Sequence, residues 1–116
     1  MKIDERTFNF SLLVIDFYKY LVEIEKEFIL SKQLLRSGTS IGANVEEAQA
    51  AQSKKDFISK MSIASKEARE SRYWLRLLNS SNYMNNFAKK ESIINEIENI
   101  INIITKIIKT SRENNE

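Results

Sequence analysis

Residues that interrupt regular backbone structure are almost absent from this sequence, which has no proline and only two glycines among 116 residues. A β-sandwich or β-barrel needs turn-forming residues every few positions, so this composition excludes both. The length fits a single domain. Long helices are therefore the expected secondary structure, and the spacing of the apolar residues indicates how many there are.

Apolar spacing predicts four helices, over residues 5–27, 30–52, 53–78 and 87–110. In each of them apolar residues recur every three or four positions, which places them on one helical face. The stripe of the first helix contains Phe10, Leu13, Phe17, Leu21, Ile24 and Phe28. The stripe of the second helix contains Leu34, Ile41, Val45 and Ala48. The stripe of the fourth helix contains Ile93, Ile97, Ile100, Ile104 and Ile107.

The third helix has the most regular pattern, because its apolar and small residues alternate spacings of four and three. This seam contains Phe57, Met61, Ala64, Ala68, Ser71, Leu75 and Leu78. A second row lies about 120° away on the same helix. It contains Ile63, Glu67, Glu70, Trp74 and Leu77. Ser53 is the predicted N-cap, with Asp56 in a capping-box position. We expect the seam to face the bundle and the second row to face another subunit.

Two glycines on the second helix predict a close approach of another backbone. Gly38 and Gly42 are four residues apart and so share a face. Each glycine inside a helix costs about 1 kcal/mol relative to alanine, which indicates a packing reason for keeping both. The alternative is a local break over residues 36–40.

Because short connections make neighbouring helices antiparallel, the predicted fold is all-α, an antiparallel up-down-up-down four-helix bundle that spans residues 1–116.

Histidine and cysteine are both absent. Their absence removes the commonest general base, the commonest metal ligand and all thiolate chemistry. Glu67 and Glu70 have the spacing of a di-iron motif, but that motif needs a histidine. We therefore expect no catalytic residues, no cofactor and no metal. No segment reaches the roughly 18 apolar residues of a membrane span, and the first ten residues lack a signal-peptide pattern. The expected location is the cytoplasm, without membrane contact.

Positive charge is concentrated on the third helix. Residues 53–78 contain seven basic and three acidic residues, a formal charge of +4, whereas the whole chain carries +2. At 100° per residue, six of the seven cations share a stripe about 120° wide with one aromatic residue. This basic stripe consists of Lys54, Lys55, Lys66, Arg69, Arg72, Tyr73 and Arg76. Such a pattern is typical of a surface that follows a phosphate backbone. The alternative is a solvated face whose charges neighbouring acids balance.

A polar network is predicted between the second and third helices. Glu67 and Glu70 lie in the second row of the third helix, beside Trp74. Buried carboxylates are normally paired with arginine or amide groups, and the second helix offers Arg36 and Asn44. We therefore expect these two residues to bind the two glutamates and to set the register of the helices.

Residues 31–78 resemble the core of the bacterial four-helix-bundle family of 23S ribosomal RNA intervening-sequence proteins. The first part of the family pattern falls on Gln33, Leu34, Arg36, Ser37, Ser40, Ile41, Asn44, Val45 and Glu47. The later part falls on Phe57, Ile63, Ala64, Glu67 and Glu70. Many members have glycine where this sequence has Ala48.

The resemblance implies a small helical protein that forms a homo-oligomer, with a homopentamer as the expected assembly, and that has a basic surface. A related branch is the accessory protein of diversity-generating retroelements, which partners a reverse transcriptase and binds nucleic acid. Two hypotheses follow for this chain. The first is a non-enzymatic oligomer that binds structured nucleic acid, RNA before DNA, through the basic stripe. The second is a protein-interaction adaptor, for example for a reverse transcriptase, without RNA contact of its own.

Overall fold

A computed structural model describes residues 1–114 of the chain, and these residues form four helices. Helix α1 spans Ile3–Glu23 and α2 spans Leu30–Gln49. Helix α3, the longest, spans Lys54–Ser80, and α4 spans Lys90–Glu113. Each helix packs against its two neighbours in a ring, with α4 closing the ring against α1. The structure is the predicted all-α four-helix bundle.

Contacts between the helices show that neighbours run in opposite directions. On α1, Arg6 contacts Glu96 of α4, whereas Asp16 contacts Lys89 just before α4 begins. Between α3 and α4, Arg72 lies 3.1 Å from Glu98. Toward the other ends of the same two helices, the Lys54 ammonium donates to the main-chain oxygen of residue 114. The up-down-up-down arrangement expected from short connections is therefore confirmed.

The core is built from the predicted seams of all four helices. On α3, Phe57 is half-buried and the other six seam residues are buried. The α2 stripe is fully buried, and isoleucines fill the α4 side of the core. On α1, the buried positions are Thr7, Phe10, Val14, Phe17 and Leu21. The spacing of four and three residues therefore correctly predicts most of the core.

Helix α2 runs without a break through both of its glycines, where it passes close to α1. A Cβ atom added to Gly38 would lie 2.8 Å from a methyl group of Val14. A Cβ atom added to Gly42 would lie 3.2 Å from the main-chain oxygen of Thr7. The predicted close approach of another backbone is confirmed at Gly42, whereas Gly38 makes room for the Val14 side chain; the alternative of a local break is wrong.

The end of α1 differs from the prediction. The helix stops at Glu23 instead of near residue 27, and the predicted stripe members Ile24 and Phe28 are 66% and 51% exposed. The chain reverses at Lys26, whose φ of 57° is left-handed. The buried carboxylate of Glu27 then accepts hydrogen bonds from three main-chain N–H groups at the start of α2. Glutamate is not a usual capping residue, so the sequence pattern did not reveal this cap.

Several other helix ends shift by two or three residues. Helix α2 ends at Gln49 instead of 52. Ser53 is extended and its hydroxyl accepts a hydrogen bond from the N–H of Asp56, which confirms the cap predicted for α3. Helix α3 continues to Ser80 instead of 78. Helix α4 begins at Lys90 instead of 87. The Phe87 ring lies in the preceding loop, with its centroid 4.6 Å from that of Phe17.

Candidate nucleic-acid interface

The basic stripe lies on the outer side of α3, opposite the buried seam. Lys54, Lys55, Lys66, Arg69 and Arg76 are exposed, and Arg72 is half-buried. The Tyr73 side chain is 51% exposed and meets the Trp74 ring edge-on, with ring centroids 5.2 Å apart. One helix therefore displays six cations and an aromatic ring on a single rigid surface.

Most cations of the stripe have no acidic partner. Within residues 1–114, no carboxylate lies within 4.0 Å of Lys55, Lys66, Arg69 or Arg76. Arg72 is the exception, since it is 3.1 Å from Glu98 of α4. Lys54 donates to a main-chain oxygen instead of to a side chain. The alternative of a face balanced by neighbouring acids therefore describes Arg72 but not the other members.

The seventh cation of α3 lies outside the stripe and is engaged in the groove between α2 and α3. The Lys60 ammonium is 3.1 Å from the Glu47 carboxylate of α2. This hydrogen bond and the attraction of the opposite charge raise the pKa of Lys60 above its ordinary value. Lys60 is thereby held toward α2 instead of being added to the positive surface.

The same groove contains most of the predicted polar network. The Arg36 guanidinium donates to Glu70 and, at 3.3 Å, to Glu67. The Trp74 indole N–H also donates to Glu70, at 3.0 Å. Asn44 is not part of the network, because it lies eight residues from Arg36, about 12 Å along the helix. Its amide donates instead to the main-chain oxygen of Ser40, at 2.8 Å.

On the opposite side of α3, a trough of about 440 Å³ separates α3 from α4. Ile108 is the one apolar residue that lines it, and Glu113 is the one acidic residue. We call this gap the α3–α4 trough, and its other six lining residues are polar or basic: Ser62, Ser65, Arg69, Thr105, Lys109 and Arg112. Two of its cations, Lys109 and Arg112, belong to α4 and were missed by sequence reasoning, which considered the charge of α3 alone.

Metal-binding clusters and membrane-spanning helices are absent from the described part of the chain. No group of three or more Asp or Glu residues there is placed to hold a metal ion. None of the four helices combines the length and the apolar character needed to cross a membrane, as far as the chain is described.

The fold and the basic surface of α3 define a small helical bundle with a basic face on one helix. The model of a family described as 23S rRNA-intervening sequence protein matches residues 1–106, so the chain belongs to that family. A solved crystal structure of a protein with unknown function from the S23 ribosomal protein family, from Bacteroides thetaiotaomicron VPI-5482, has the same fold. It is 47% identical, with a TM-score of 0.86 over 92% of this chain and 95% of that one. No curated protein matches the chain. The predicted family is confirmed.

Proposed function

We propose that this protein is a non-enzymatic homo-oligomer that binds structured nucleic acid through the basic stripe of α3. The observation that carries the proposal is the unpaired state of the stripe: Lys55, Lys66, Arg69 and Arg76 have no carboxylate within 4.0 Å in residues 1–114. Unpaired cations on a rigid helix are available to displace the counterions of a phosphate backbone, which is the main source of affinity for nucleic acid.

RNA is the preferred ligand in this proposal. The family is described by its association with 23S ribosomal RNA intervening sequences, which brings the chain into the context of structured RNA. The exposed half of the Tyr73 ring adds a surface on which an unpaired base of a loop or bulge can stack. We propose the cytoplasm as the location of the protein, because such RNA occurs there.

Oligomer formation is supported by apolar side chains that the bundle leaves exposed. Phe8 and Leu12 are four residues apart on α1 and are 62% and 49% exposed. Ile63, in the second row of α3, is 40% exposed. Burying such residues against another copy would remove apolar surface from water. Each added copy would also repeat the basic stripe and strengthen its field, and the family resemblance suggests five copies.

An adaptor role is the second candidate function, and a different apolar cluster supports it. Ile24, Phe28 and Ile29 project from the connection between α1 and α2, with exposures of 66%, 51% and 75%. Three large apolar residues at one end of the bundle suit contact with another protein, such as the reverse transcriptase that the resemblance implies. In that role the basic stripe would make no RNA contact.

Fluorescence anisotropy with a labelled RNA stem-loop, measured over a range of salt concentrations, tests the lead proposal. The wild type should bind with an affinity that falls steeply with salt. The triple variant Lys55→Glu/Arg69→Glu/Arg76→Glu should lose at least about tenfold in affinity, since each phosphate contact contributes to the salt-dependent part of binding. The matched control Lys2→Glu/Lys19→Glu/Lys26→Glu makes the same charge change away from α3.

Two results would contradict the proposal. One is binding that does not depend on salt, and the other is an equal loss of affinity in the triple variant and its control. Light scattering on the same samples reports the number of copies in the assembly. A monomer that binds RNA would reject the oligomer while retaining the ligand.

A further inference from the structure

Two rows of side chains, one on α3 and one on α4, face each other across the α3–α4 trough, and the side chains differ in length. On α3 the row is Ser62, Ser65 and Arg69, and on α4 it is Thr105, Lys109 and Arg112. Each row follows spacings of three and four residues, so its members lie on one helical face. The Arg69 guanidinium donates to the Thr105 hydroxyl, at 3.3 Å, and fixes how the rows are aligned.

Because the helices are antiparallel, this alignment leaves Ser62 and Ser65 on the α3 wall beside the part of α4 that carries Lys109 and Arg112. Short hydroxyl side chains on one wall and long cations on the other leave the gap of about 440 Å³. The gap therefore results from the small size of the side chains on α3. It does not result from poor packing, since the neighbouring seam residues Ala64 and Ala68 are fully buried.

The chemistry of the trough selects an anion that has several oxygen atoms. It contains three cations and one acid, Glu113, a net charge of +2 that equals the charge of the whole chain. Within residues 1–114 none of the three cations has a carboxylate within 4.0 Å. Guanidinium forks match phosphate oxygens, and the hydroxyl groups supply further donors.

The length of the trough favours a chain of phosphates over a single small anion. Ser62 and Arg69 are seven residues apart, a rise of about 10.5 Å along α3. Arg69 also belongs to the basic stripe, so the trough continues the positive surface of α3 onto α4. We propose that the α3–α4 trough binds consecutive phosphates of a nucleic-acid backbone, with Lys109 and Arg112 as direct contacts. This inference rests on the proposed function and adds a second helix to the binding surface.

The experiment compares two double variants that remove the same charge from the same helix. Lys109→Gln/Arg112→Gln alters the trough, whereas Lys90→Gln/Lys106→Gln alters positions on α4 that do not line it. In anisotropy titrations with the RNA stem-loop, the trough variant should lose about tenfold in affinity near 100 mM salt. Its plot of log affinity against log salt should be shallower by about 1.5 to 2, as expected for two lost phosphate contacts. The control should stay within about threefold of the wild type, and circular dichroism verifies that both variants are folded.

Equal losses in the two double variants would overturn the inference, because they would report net charge alone. Loss of binding in the α3 triple variant without loss in the trough variant would also overturn it, while leaving the proposed function intact. Failure of the wild type to bind RNA would reject both. A second pair tests the gap itself: Ser65→Glu should weaken binding about as much as the trough variant, and Ser65→Gln, of similar size, should weaken it less.

Free polyphosphate offers the same chemistry as a nucleic-acid backbone, so tripolyphosphate is included as a competitor. Displacement of RNA only at millimolar tripolyphosphate is the expected result. Tight binding of tripolyphosphate that is lost in the trough variant, together with unchanged RNA binding by that variant, would assign the trough to free polyphosphate and overturn the backbone proposal.

Discussion

The two grooves that flank α3 contain similar residue types, but they differ in whether carboxylates pair with their cations. In the groove toward α2, Arg36 is bound by Glu67 and Glu70, and Lys60 is bound by Glu47. Toward α4, Arg72 alone is paired, and the trough beyond it keeps its cations without carboxylate partners in residues 1–114. Carboxylates thus neutralise the cations in the groove toward α2, whereas the cations of the trough have no carboxylate partner in residues 1–114 and are the ones that we propose to contact a ligand.

Serine residues show the same contrast in packing. Ser71 is fully buried between α3 and α2, and its hydroxyl donates to that of Ser37, at 2.9 Å, across the interface. Ser62 and Ser65 are half-buried and line the trough instead. A small residue therefore brings α2 against α3 on one flank of the helix and opens a gap on the other.

The largest expected difference between the flanks is in stability. Ser71→Leu should lower the free energy of unfolding by about 2–3 kcal/mol, because a larger side chain has no space there and Ser37 loses its partner. Ser65→Leu, the matched change on the other flank, should alter it by less than about 0.5 kcal/mol. Urea denaturation followed by circular dichroism gives both values. Equal destabilisation by the two variants would contradict the difference in packing between the two flanks of α3.

A smaller effect is expected when an arginine is removed from each flank. Arg36→Ala should lower the free energy of unfolding by about 1 kcal/mol, since two carboxylates lose a partner that is itself half exposed. Arg69→Ala should leave stability almost unchanged and lower RNA affinity severalfold. Arg36→Ala should therefore reduce stability more than Arg69→Ala does, whereas Arg69→Ala should reduce RNA affinity more than Arg36→Ala does. Weaker RNA binding by Arg36→Ala than by Arg69→Ala would contradict the division of roles.

The smallest effect is on the pH dependence of stability. The pKa of Lys60 is raised above 10.5 by Glu47, so the folded state is stabilised in full below that pH. This stabilisation is lost as the pH rises through the folded pKa. The difference in unfolding free energy between wild type and Glu47→Gln should therefore be constant from about pH 7 to 9 and shrink at higher pH, as Lys60 loses its proton. Glu113→Gln, in the trough, should show no such alkaline change. If the difference in unfolding free energy between wild type and Glu47→Gln stays the same at alkaline pH, the ion pair does not contribute to it.

Local spacing was sufficient to predict most of the fold. The alternation of four and three residues on α3 identified its buried seam, and Ser53 with Asp56 identified its first turn. The end of α1 could not be predicted in this way. It depends on a left-handed Lys26 and on a buried Glu27 that caps the next helix, and neither residue type carries that signal in its own sequence context.

The candidate site was predictable on one helix but not across two. Angles along α3 were enough to place the basic stripe, because they depend on that helix alone. The trough requires the alignment of Arg69 with Thr105, which brings Lys109 and Arg112 beside two serines. The prediction for Asn44 failed for a different reason, which depends on one helix alone. It shares a helix with Arg36, but it lies too far along that helix to reach the acids that Arg36 binds.

Lysine footprinting in the presence and absence of the RNA stem-loop tests the division between the two flanks most directly. Each flank has a lysine, so one acetylation experiment read by mass spectrometry compares them within the same molecule. Lys66 of the stripe and Lys109 of the trough should become protected when RNA binds, while Lys60 in the groove toward α2 keeps its reactivity. Protection of Lys60 with no change at Lys109 would contradict the account.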